Sequence, residues 1–288
     1  MNLVFWFAAG LTSIVVNGDR VFSAGLDGTV RSWSNAASRV VASRAHNLYA
    51  VASHGEQVAF CGDSPTVDFV SGKSLELPSG WCVALAFSPD GKTLAAGRSE
   101  KSVSLFDVAS GKLTRTIDTK WESEAVAWSP DGKIVASGAF DVSLWSASDG
   151  MLIRKLVPPA AIRSIAFSRD GTRIAAASQD KMVRVWNPAT GELLRTFEPQ
   201  GFVHFNQGKT FVEPIALPQL AVDFSPDGRK IATAGADRIV WVWDIGTGKE
   251  LQSLQGHRMS ITGLAFLDAS RVVSCSLDGT TRVWSVGQ

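Results

Sequence analysis

Three Gly-Lys-Ser/Thr tripeptides in this 288-residue chain match the end of a phosphate-binding loop motif. Such a tripeptide binds phosphate only when another glycine stands five residues before its own, because the loop between the two wraps the phosphate groups. The tripeptides begin at Gly72, Gly91 and Gly208. The earlier positions hold Val67, Ala86 and Val203. The sequence therefore predicts three turns between strands rather than a phosphate-binding loop.

The histidines and acids show no pattern typical of a metal centre or a hydrolase. No two of the four histidines stand at metal-ligand spacing, and none pairs with a cysteine as in a zinc finger. They are His46, His54, His204 and His257. No Gly-x-Ser-x-Gly sequence occurs, and most acids occupy turn positions, where Asp stabilises the turn. We therefore expect no cofactor, no metal and no catalytic residue, with an enzyme built from distant loops as the minor alternative.

A module of roughly 40 residues repeats along the chain. Seven aromatic residues end the third predicted strand of each copy: Trp33, Phe69, Phe106, Trp145, Trp186, Trp243 and Trp284. Acids stand six residues before most of them: Asp27, Asp63, Glu100, Asp180, Asp237 and Asp278. In the fourth copy Asp141 lies only four residues before Trp145, which predicts a shortened turn. Four Ser-x-Asp-Gly turns, at 88–91, 129–132, 168–171 and 225–228, mark the first hairpin of their copies.

The copies resemble the WD40 repeat, and the resemblance is clearest from Gly256 to Trp284. It implies an all-β fold, a single seven-bladed β-propeller that spans residues 1–288 as one domain. Within the last copy it also implies a buried structural tetrad of His257, Ser274, Asp278 and Trp284. In that set His can bridge a carboxylate and a hydroxyl, while the indole N–H supplies the hydroxyl with a donor.

Composition and charge restrict the partners. The hydrophobic content is 45%, as in soluble globular chains. Lys and Arg total 28 against 27 Asp and Glu, for a net charge of +1. A nucleic-acid-binding protein usually carries a strong basic field, so nucleic acid is an unfavourable partner here.

The three cysteines predict the compartment. Cys61, Cys82 and Cys275 fall in predicted strands of different copies. An odd number in separate repeats favours buried free thiols over a disulfide framework, and free thiols are typical of a reducing compartment. We therefore expect an intracellular protein, cytoplasmic or, in a eukaryote, nuclear.

The uncharged stretch Met1 to Val16 has two interpretations. It could be a targeting segment or an anchor, but it lacks a basic start and is short for a membrane span of ~20 residues. Alternatively, Leu3 to Phe7 supplies the outer strand that the seventh copy lacks after Trp284. We favour the second, because closing the ring removes exposed sheet edges.

One insertion breaks the period, at about residues 198–219. Its two apolar runs flank Asn206-Gln207-Gly208 and could form a small hairpin. In the family, the loop that holds it lies on the binding face. The insertion is therefore either a binding element, with Phe202, Phe205 and Phe211 as contacts, or a structural cover.

The resemblance implies a non-catalytic scaffold that binds a protein or peptide through its loop face, as a monomeric propeller in a larger complex and without a membrane. In the family, the residue before each turn acid points onto that face. The corresponding candidates, with nearby loop aromatics, are Leu26, Tyr49, Trp81, Trp121, Phe140, Gln179 and Leu277. Trp81 and Trp121 could instead pack between blades as core. A reader of a modified peptide or of nucleic acid is the alternative function.

Overall fold

The computed structural model describes residues 4–5, 10–34, 37–199, 202–206, 209–213 and 219–287. Side chains are described for these ranges except residues 4–5, 34, 37, 202–206, 209–213 and 219. Within these ranges the secondary structure is entirely β.

The strands, numbered in chain order, follow the predicted copies. The N-terminal part contains β1 (Val4–Phe5), β2 (Leu11–Asn17), β3 (Arg20–Gly25), β4 (Thr29–Ser34), β5 (Ala37–Ser43), β6 (Leu48–His54), β7 (Gln57–Gly62), β8 (Thr66–Phe69), β9 (Ser74–Glu76), β10 (Cys82–Phe87), β11 (Thr93–Arg98), β12 (Ser102–Asp107) and β13 (Leu113–Asp118). The middle contains β14 (Ala125–Trp128), β15 (Ile134–Gly138), β16 (Val142–Ser146), β17 (Leu152–Leu156), β18 (Ile162–Phe167), β19 (Ile174–Ser178), β20 (Val183–Trp186) and β21 (Leu193–Phe197). The C-terminal part contains β22 (Phe202–Asn206), β23 (Lys209–Glu213), β24 (Gln219–Phe224), β25 (Lys230–Gly235), β26 (Ile239–Asp244), β27 (Glu250–Gln255), β28 (Ile261–Asp268), β29 (Arg271–Ser276) and β30 (Thr281–Ser285).

These strands form seven four-stranded antiparallel sheets, the blades of a propeller. The first strand of each blade is the inner one, and the inner strands contact each other in cyclic order from β2 round to β28 and back to β2. The prediction of a seven-bladed all-β propeller is confirmed. The strands β22 and β23 form a separate hairpin between the fifth and sixth blades.

The ring closes as the sequence predicts. In the seventh blade the order is β1-β30-β29-β28, so the outermost strand comes from the start of the chain. Val4 pairs with Arg282, and Phe5 pairs with Thr281. The closure joins chain segments that are far apart in sequence, and it pairs an edge that β30 would otherwise expose.

Apolar packing between neighbouring blades holds the ring together. The buried apolar residues form seven clusters, and each cluster joins two successive blades. Because both faces of a blade are covered, the second strands read as continuous small apolar runs; all five residues of β19, for example, are buried. The aromatic residue that ends each third strand lies in these clusters and is buried in every blade.

The predicted Ser-x-Asp-Gly turns have one shared geometry. In the third blade the Ser88 hydroxyl donates to Asp90 at 2.6 Å, and the N–H of Lys92 donates to the same carboxylate oxygen. Gly91 adopts φ = 71°, a conformation that favours glycine. The Ser88 hydrogen bond is the main reason that the pKa of Asp90 is lowered.

The prediction that all three cysteines are free is wrong. Cys61 on β7 and Cys82 on β10 form a disulfide between the second and third blades, with Cα atoms 5.7 Å apart. Only Cys275 remains a buried free thiol. The two cysteines belong to different copies of the repeat, so the sequence pattern did not indicate that they meet at the interface between two blades.

Two general features of the described part of the chain bear on function. None of its segments is a helix long and apolar enough to cross a membrane. Nor do three or more His, Cys, Asp or Glu side chains come together there in a way that could hold a metal ion.

Candidate protein-binding face

One face of the ring, here called the loop face, carries two kinds of connection. The first joins the outer strand of one blade to the inner strand of the next, and the second joins the second and third strands within a blade. The insertion between β21 and β24 belongs to the first kind. The Ser-x-Asp-Gly turns lie on the opposite face.

The four residues of the implied tetrad are brought together on this face in the seventh blade. His257 Nδ1 lies 3.0 Å from Asp278 Oδ2, and His257 Nε2 lies 2.8 Å from Ser274 Oγ. The Trp284 indole N–H donates to the same Ser274 oxygen at 2.8 Å. The network therefore ties the loop before β28 to the second and third strands of the blade.

Burial sets the protonation of this network. It lowers the pKa of His257, although the nearby Asp278 opposes the effect. The neutral ring then donates from Nδ1 to Asp278 and accepts the Ser274 hydroxyl proton at Nε2. Burial alone would raise the pKa of Asp278, but hydrogen bonds from Thr280, the Arg258 N–H and His257 outweigh it and lower that pKa.

A Ser-His-Asp sequence of contacts is also the pattern of a nucleophilic triad. Here the Ser274 side chain is fully buried. Its hydroxyl is engaged on both sides, as donor to His257 and as acceptor from Trp284. A nucleophile must reach a substrate, so this set acts as a structural clamp.

The other blades keep parts of the clamp or replace it with arginine. Indole-to-hydroxyl hydrogen bonds join Trp33 to Ser23, Trp145 to Ser137, and Trp243 to Thr233. In the second blade, Arg44 instead forms a 2.7 Å ion pair with the buried Asp68. In the fifth blade, Arg184 pairs with Asp180 at 2.7 Å. The loop turns of these blades are therefore fixed by different chemistry.

The structure places most of the predicted contact residues at the surface of the loop face. Trp81 is 46% exposed, Trp121 is 44% exposed and Phe140 is 60% exposed. Leu26 and Gln179 are exposed as well, while Tyr49 and Leu277 are half-buried. Packing of Trp81 and Trp121 between blades as core is therefore wrong, since a core ring would lose nearly all contact with water.

Two of these rings form a contact pair on the fourth blade. Trp121 and Phe140 meet edge to face with ring centroids 5.0 Å apart. We call these two residues the aromatic shelf. The shortened turn at Asp141 places Phe140 here, two residues after the end of β15. Sequence reasoning missed a further exposed apolar residue, Val157, which is 76% exposed in the next loop of this face.

The mouth of the central channel contains a cavity of 510 Å³, here called the mouth pocket. Its walls include Tyr49, Trp81, Glu122, Glu124 and Arg163. Arg163 pairs with Glu124, and the amide of Gln179 lies against the same guanidinium. Sequence reasoning missed the three charged residues, because they belong to no motif and meet only when the inner strands form the ring.

Tyr49 is held in the wall of this pocket by its hydroxyl. The hydroxyl donates to Asp63, which also accepts a 2.9 Å hydrogen bond from Asn47. The hydrogen bond to Asp63 is the main reason that the pKa of Tyr49 is raised. The ring is therefore neutral and oriented, and Asp63 is already engaged by two donors.

Two further cavities lie away from the loop face. One of 970 Å³ lies between the third and fourth blades, beside Pro89, Trp128 and Pro130 near the Ser-x-Asp-Gly turns. Another, of 650 Å³, occupies the opposite end of the channel and is lined in part by Asp223. Burial raises the pKa of Asp223 to about 6, although its carboxylate accepts N–H hydrogen bonds from Phe224 and Phe266.

The insertion forms the hairpin that the sequence anticipated. Phe202 pairs with Glu213 and Asn206 pairs with Lys209, which brackets the expected turn. The side chains of Phe202, Phe205 and Phe211 lie outside the described part of the structure. Whether they bind a partner or cover the propeller stays a prediction.

Comparisons with known proteins agree with this architecture. The family described as "WD domain, G-beta repeat" matches residues 111–153, 150–187, 217–244 and 248–285. The "Anaphase-promoting complex subunit 4 WD40 domain" family matches residues 43–131. The chain belongs to the WD40-repeat β-propeller family.

Among individual proteins, the chain is 30% identical over 223 residues to "Telomerase protein component 1" of Mus musculus, which covers 73% of this chain and 8% of that protein. It is 33% identical over 107 residues to "U3 snoRNP-associated protein-like YAO" of Arabidopsis thaliana, which covers 36% and 21% respectively. The chain thus spans about a fifth or less of the length of these relatives. Its fold is similar to the WD40 β-propeller domain of Doa1, with a TM-score of 0.83, 19% identity, and coverage of 100% and 96%.

Proposed function

We propose that this chain is a non-catalytic docking module that binds a protein partner on its loop face and holds it in a larger complex. In this proposal residues 1–288 act as one domain, and the insertion at 198–219 is an accessory of the binding face. The observation that carries the proposal is the aromatic shelf, which is exposed on a propeller in which most of the other aromatic side chains that the structure describes are buried or partly buried.

The shelf has the properties of a binding hot spot. Trp and other aromatic residues are enriched among the few residues that dominate the energy of protein interfaces. Covering roughly 200 Å² of two half-exposed rings would contribute about 5 kcal/mol before the costs of association. Leaving such rings in water serves no folding purpose, so their exposure favours a binding role.

The proposed contact residues are those that the sequence predicts for the loop face and the insertion. They are Leu26, Tyr49, Trp81, Trp121, Phe140, Gln179 and Leu277, with Phe202, Phe205 and Phe211 of the insertion. The tetrad of the seventh blade contributes indirectly, because it fixes the loop and the turn that carry Leu277 and Asp278.

The partner in this proposal is protein. A net charge of +1 supplies little attraction for phosphate, and the mouth pocket includes two glutamates. The names of the relatives, a telomerase component and a U3 snoRNP-associated protein, support membership of a larger complex. They also favour the nucleus over the cytoplasm that the cysteine count led us to expect.

Affinity capture from the native cell tests the proposal. The double variant Trp121→Ala, Phe140→Ala removes the shelf, and Leu193→Ala, Leu194→Ala removes two exposed apolar side chains from the outer strand β21 as a matched control. The shelf variant is expected to recover its co-purified partners at least about tenfold less efficiently. The control is expected to recover them as well as the unaltered chain does. Equal recovery by the two variants would contradict the proposal.

A further inference from the structure

The mouth pocket contains one carboxylate that the rest of the structure does not neutralise. Glu124 pairs with Arg163, and the nearby Asp63 accepts hydrogen bonds from Tyr49 and Asn47. Glu122 also lines the pocket, is exposed, and has no hydrogen bond or ion pair within the described ranges. The walls therefore carry a net charge of about −1, since two carboxylates face one guanidinium.

We propose that the mouth pocket takes the cationic side chain of an arginine or lysine from the partner, and that the aromatic shelf takes a large apolar side chain beside it. This inference rests on the proposed function and specifies its partner as a basic, partly apolar peptide segment.

The aromatic wall favours a cation as well. Trp81 is exposed at the pocket, and a guanidinium or ammonium group over an indole face gains cation–π energy. Lys101 and Lys120 are exposed in the neighbouring connections but are not among the residues that line the pocket.

The depth of the site suits a long side chain. Beneath the mouth pocket lies a second cavity of 200 Å³, which shares Tyr49, Glu124 and Arg163 with it and extends between the inner strands to Ser13 and Ser164. A long side chain with a polar end can enter such a space while its methylene groups contact the rings above. A phosphate group, by contrast, would meet the repulsion of Glu122.

The aromatic shelf and the mouth pocket are adjacent because consecutive residues of the chain contribute to them. Trp121 belongs to the shelf, and the next residue, Glu122, lines the pocket. A partner segment that crosses this junction presents neighbouring side chains to the two sites. The recognised pattern is therefore a basic residue close in sequence to a bulky apolar residue.

Selection from a random 12-residue peptide library displayed on phage, panned against the immobilised full chain, tests this inference. The recovered peptides are expected to share Arg or Lys within a few positions of Leu, Ile, Met or an aromatic residue. One recovered peptide is then synthesised with Arg and with citrulline, which keeps the shape of arginine without its charge. If a lysine is recovered, norleucine replaces it in the same way.

A matched pair of variants completes the test. Replacing the basic residue of the peptide by its uncharged analogue is expected to weaken binding to the unaltered chain about tenfold. The same replacement is expected to weaken binding to the Glu122→Gln variant less than about threefold. Glu192→Gln, at an exposed acid in the turn before β21, is expected to behave like the unaltered chain. The four affinities form a double-mutant cycle that measures the interaction between Glu122 and the charge of the peptide. A general loss of fold would not produce this difference.

Three results would overturn the inference: recovered peptides without an enriched basic residue, equal loss in Glu122→Gln and the unaltered chain, or no recovered peptide at all. Peptides that need Trp121 and Phe140 but no positive charge would leave the proposed function intact. Peptides indifferent to the shelf, the pocket and the charge would contradict the proposed function too.

Discussion

At the scale of single residues, the loop face is fixed by buried polar contacts that differ from blade to blade. The seventh blade uses a continuous chain of hydrogen bonds from Asp278 through His257 and Ser274 to Trp284. The second and fifth blades use Arg–Asp pairs in its place. Each arrangement gives the buried side chains that it joins a polar partner, which is the condition for keeping polar groups buried.

Substitution of the seventh tryptophan should reveal the polar part of its contribution. Trp284→Ala should lower the free energy of unfolding by about 3–5 kcal/mol, as large-to-small aromatic changes in a core do. Phe69→Ala, at the equivalent place in the second blade, should cost less, because it leaves no hydroxyl without its donor. Urea titrations of both variants measure the difference, and the reverse order would contradict the tetrad geometry.

Asp223 should give the propeller a pH dependence of its own. Its pKa is raised from the ordinary 3.8 to about 6 in the folded state. The folded chain therefore binds more protons than the unfolded chain between about pH 4 and pH 6, and the contribution of Asp223 to the free energy of unfolding falls as the pH rises through that window. Between about pH 4 and pH 6, the free energy of unfolding of the unaltered protein should fall by about 1–3 kcal/mol relative to that of Asp223→Asn.

Asp227 serves as the control, because its pKa is shifted in the opposite direction. The Ser225 hydroxyl is the main cause of the lowered pKa of Asp227, so the contribution of that carboxylate is lost as the pH falls. Urea midpoints of Asp223→Asn and Asp227→Asn are therefore measured from about pH 2.5 to pH 7. The difference from the unaltered protein should change between about pH 4 and pH 6 for Asp223→Asn, and with the opposite sign below about pH 4 for Asp227→Asn. A parallel trend for the two variants would show that Asp223 titrates normally.

At the scale of elements, basic side chains on or next to the outer strands fasten the second, third, fourth and fifth blades to the blade that follows. Arg115 on β13 donates to the carbonyl oxygens of Ser148 and Asp149, both at 2.6 Å. Equivalent contacts come from Lys73 after the second blade's third strand, Arg154 on β17 and Arg195 on β21. The contact packs closely on the turn glycine, since a Cβ on Gly150 would lie 2.9 Å from Arg115 Cδ. These contacts act at the circumference, where the apolar clusters end.

Removal of one such contact should weaken the ring. Arg115→Met keeps the methylene packing and loses two charged hydrogen bonds, so we expect a decrease of about 1–2 kcal/mol in the free energy of unfolding. Arg39→Met, at an exposed arginine on the outer strand β5, serves as the control and should change little. Equal midpoints for the two variants in urea would show that the carbonyl contacts do not contribute.

The repeat made the strands and the Ser-x-Asp-Gly turns predictable, because their signals are local. Asp90 and Gly91, for example, specify their turn without reference to the rest of the ring. Contacts between blades were not predictable in this way. The disulfide of Cys61 with Cys82 and the pair of Arg163 with Glu124 depend on how neighbouring blades are placed. The charged residues of the mouth pocket could not be predicted for the same reason, because they meet only when the blades are assembled.

At the scale of the whole molecule, the ring distributes stability and leaves one face free to bind. Seven interblade clusters bury the apolar residues, and a short strand from the start of the chain closes the circle. The exposed aromatic residues then concentrate on the loop face of the third and fourth blades, at Trp81, Trp121 and Phe140. A rigid ring can hold such a surface open because its stability does not depend on covering it.

Closure predicts a cooperative loss of stability when the N-terminal strand is removed. Deletion of residues 1–8 would leave β30 without its partner β1 and expose an unpaired edge. The truncated chain should unfold at a temperature clearly below that of the full chain and should be less soluble. Equal thermal midpoints and unchanged solubility would contradict the closure.

The surface proposed to bind the partner is the loop face, in particular that of the third and fourth blades. Hydrogen exchange of the complex isolated from native cells, compared with the free chain, tests it most directly. Binding is expected to slow exchange of amides in 79–83, 118–124 and 138–142, while the turns 129–133 and 168–172 of the opposite face stay unchanged. Slower exchange confined to the opposite face or to the outer strands, with the loop face unchanged, would contradict it.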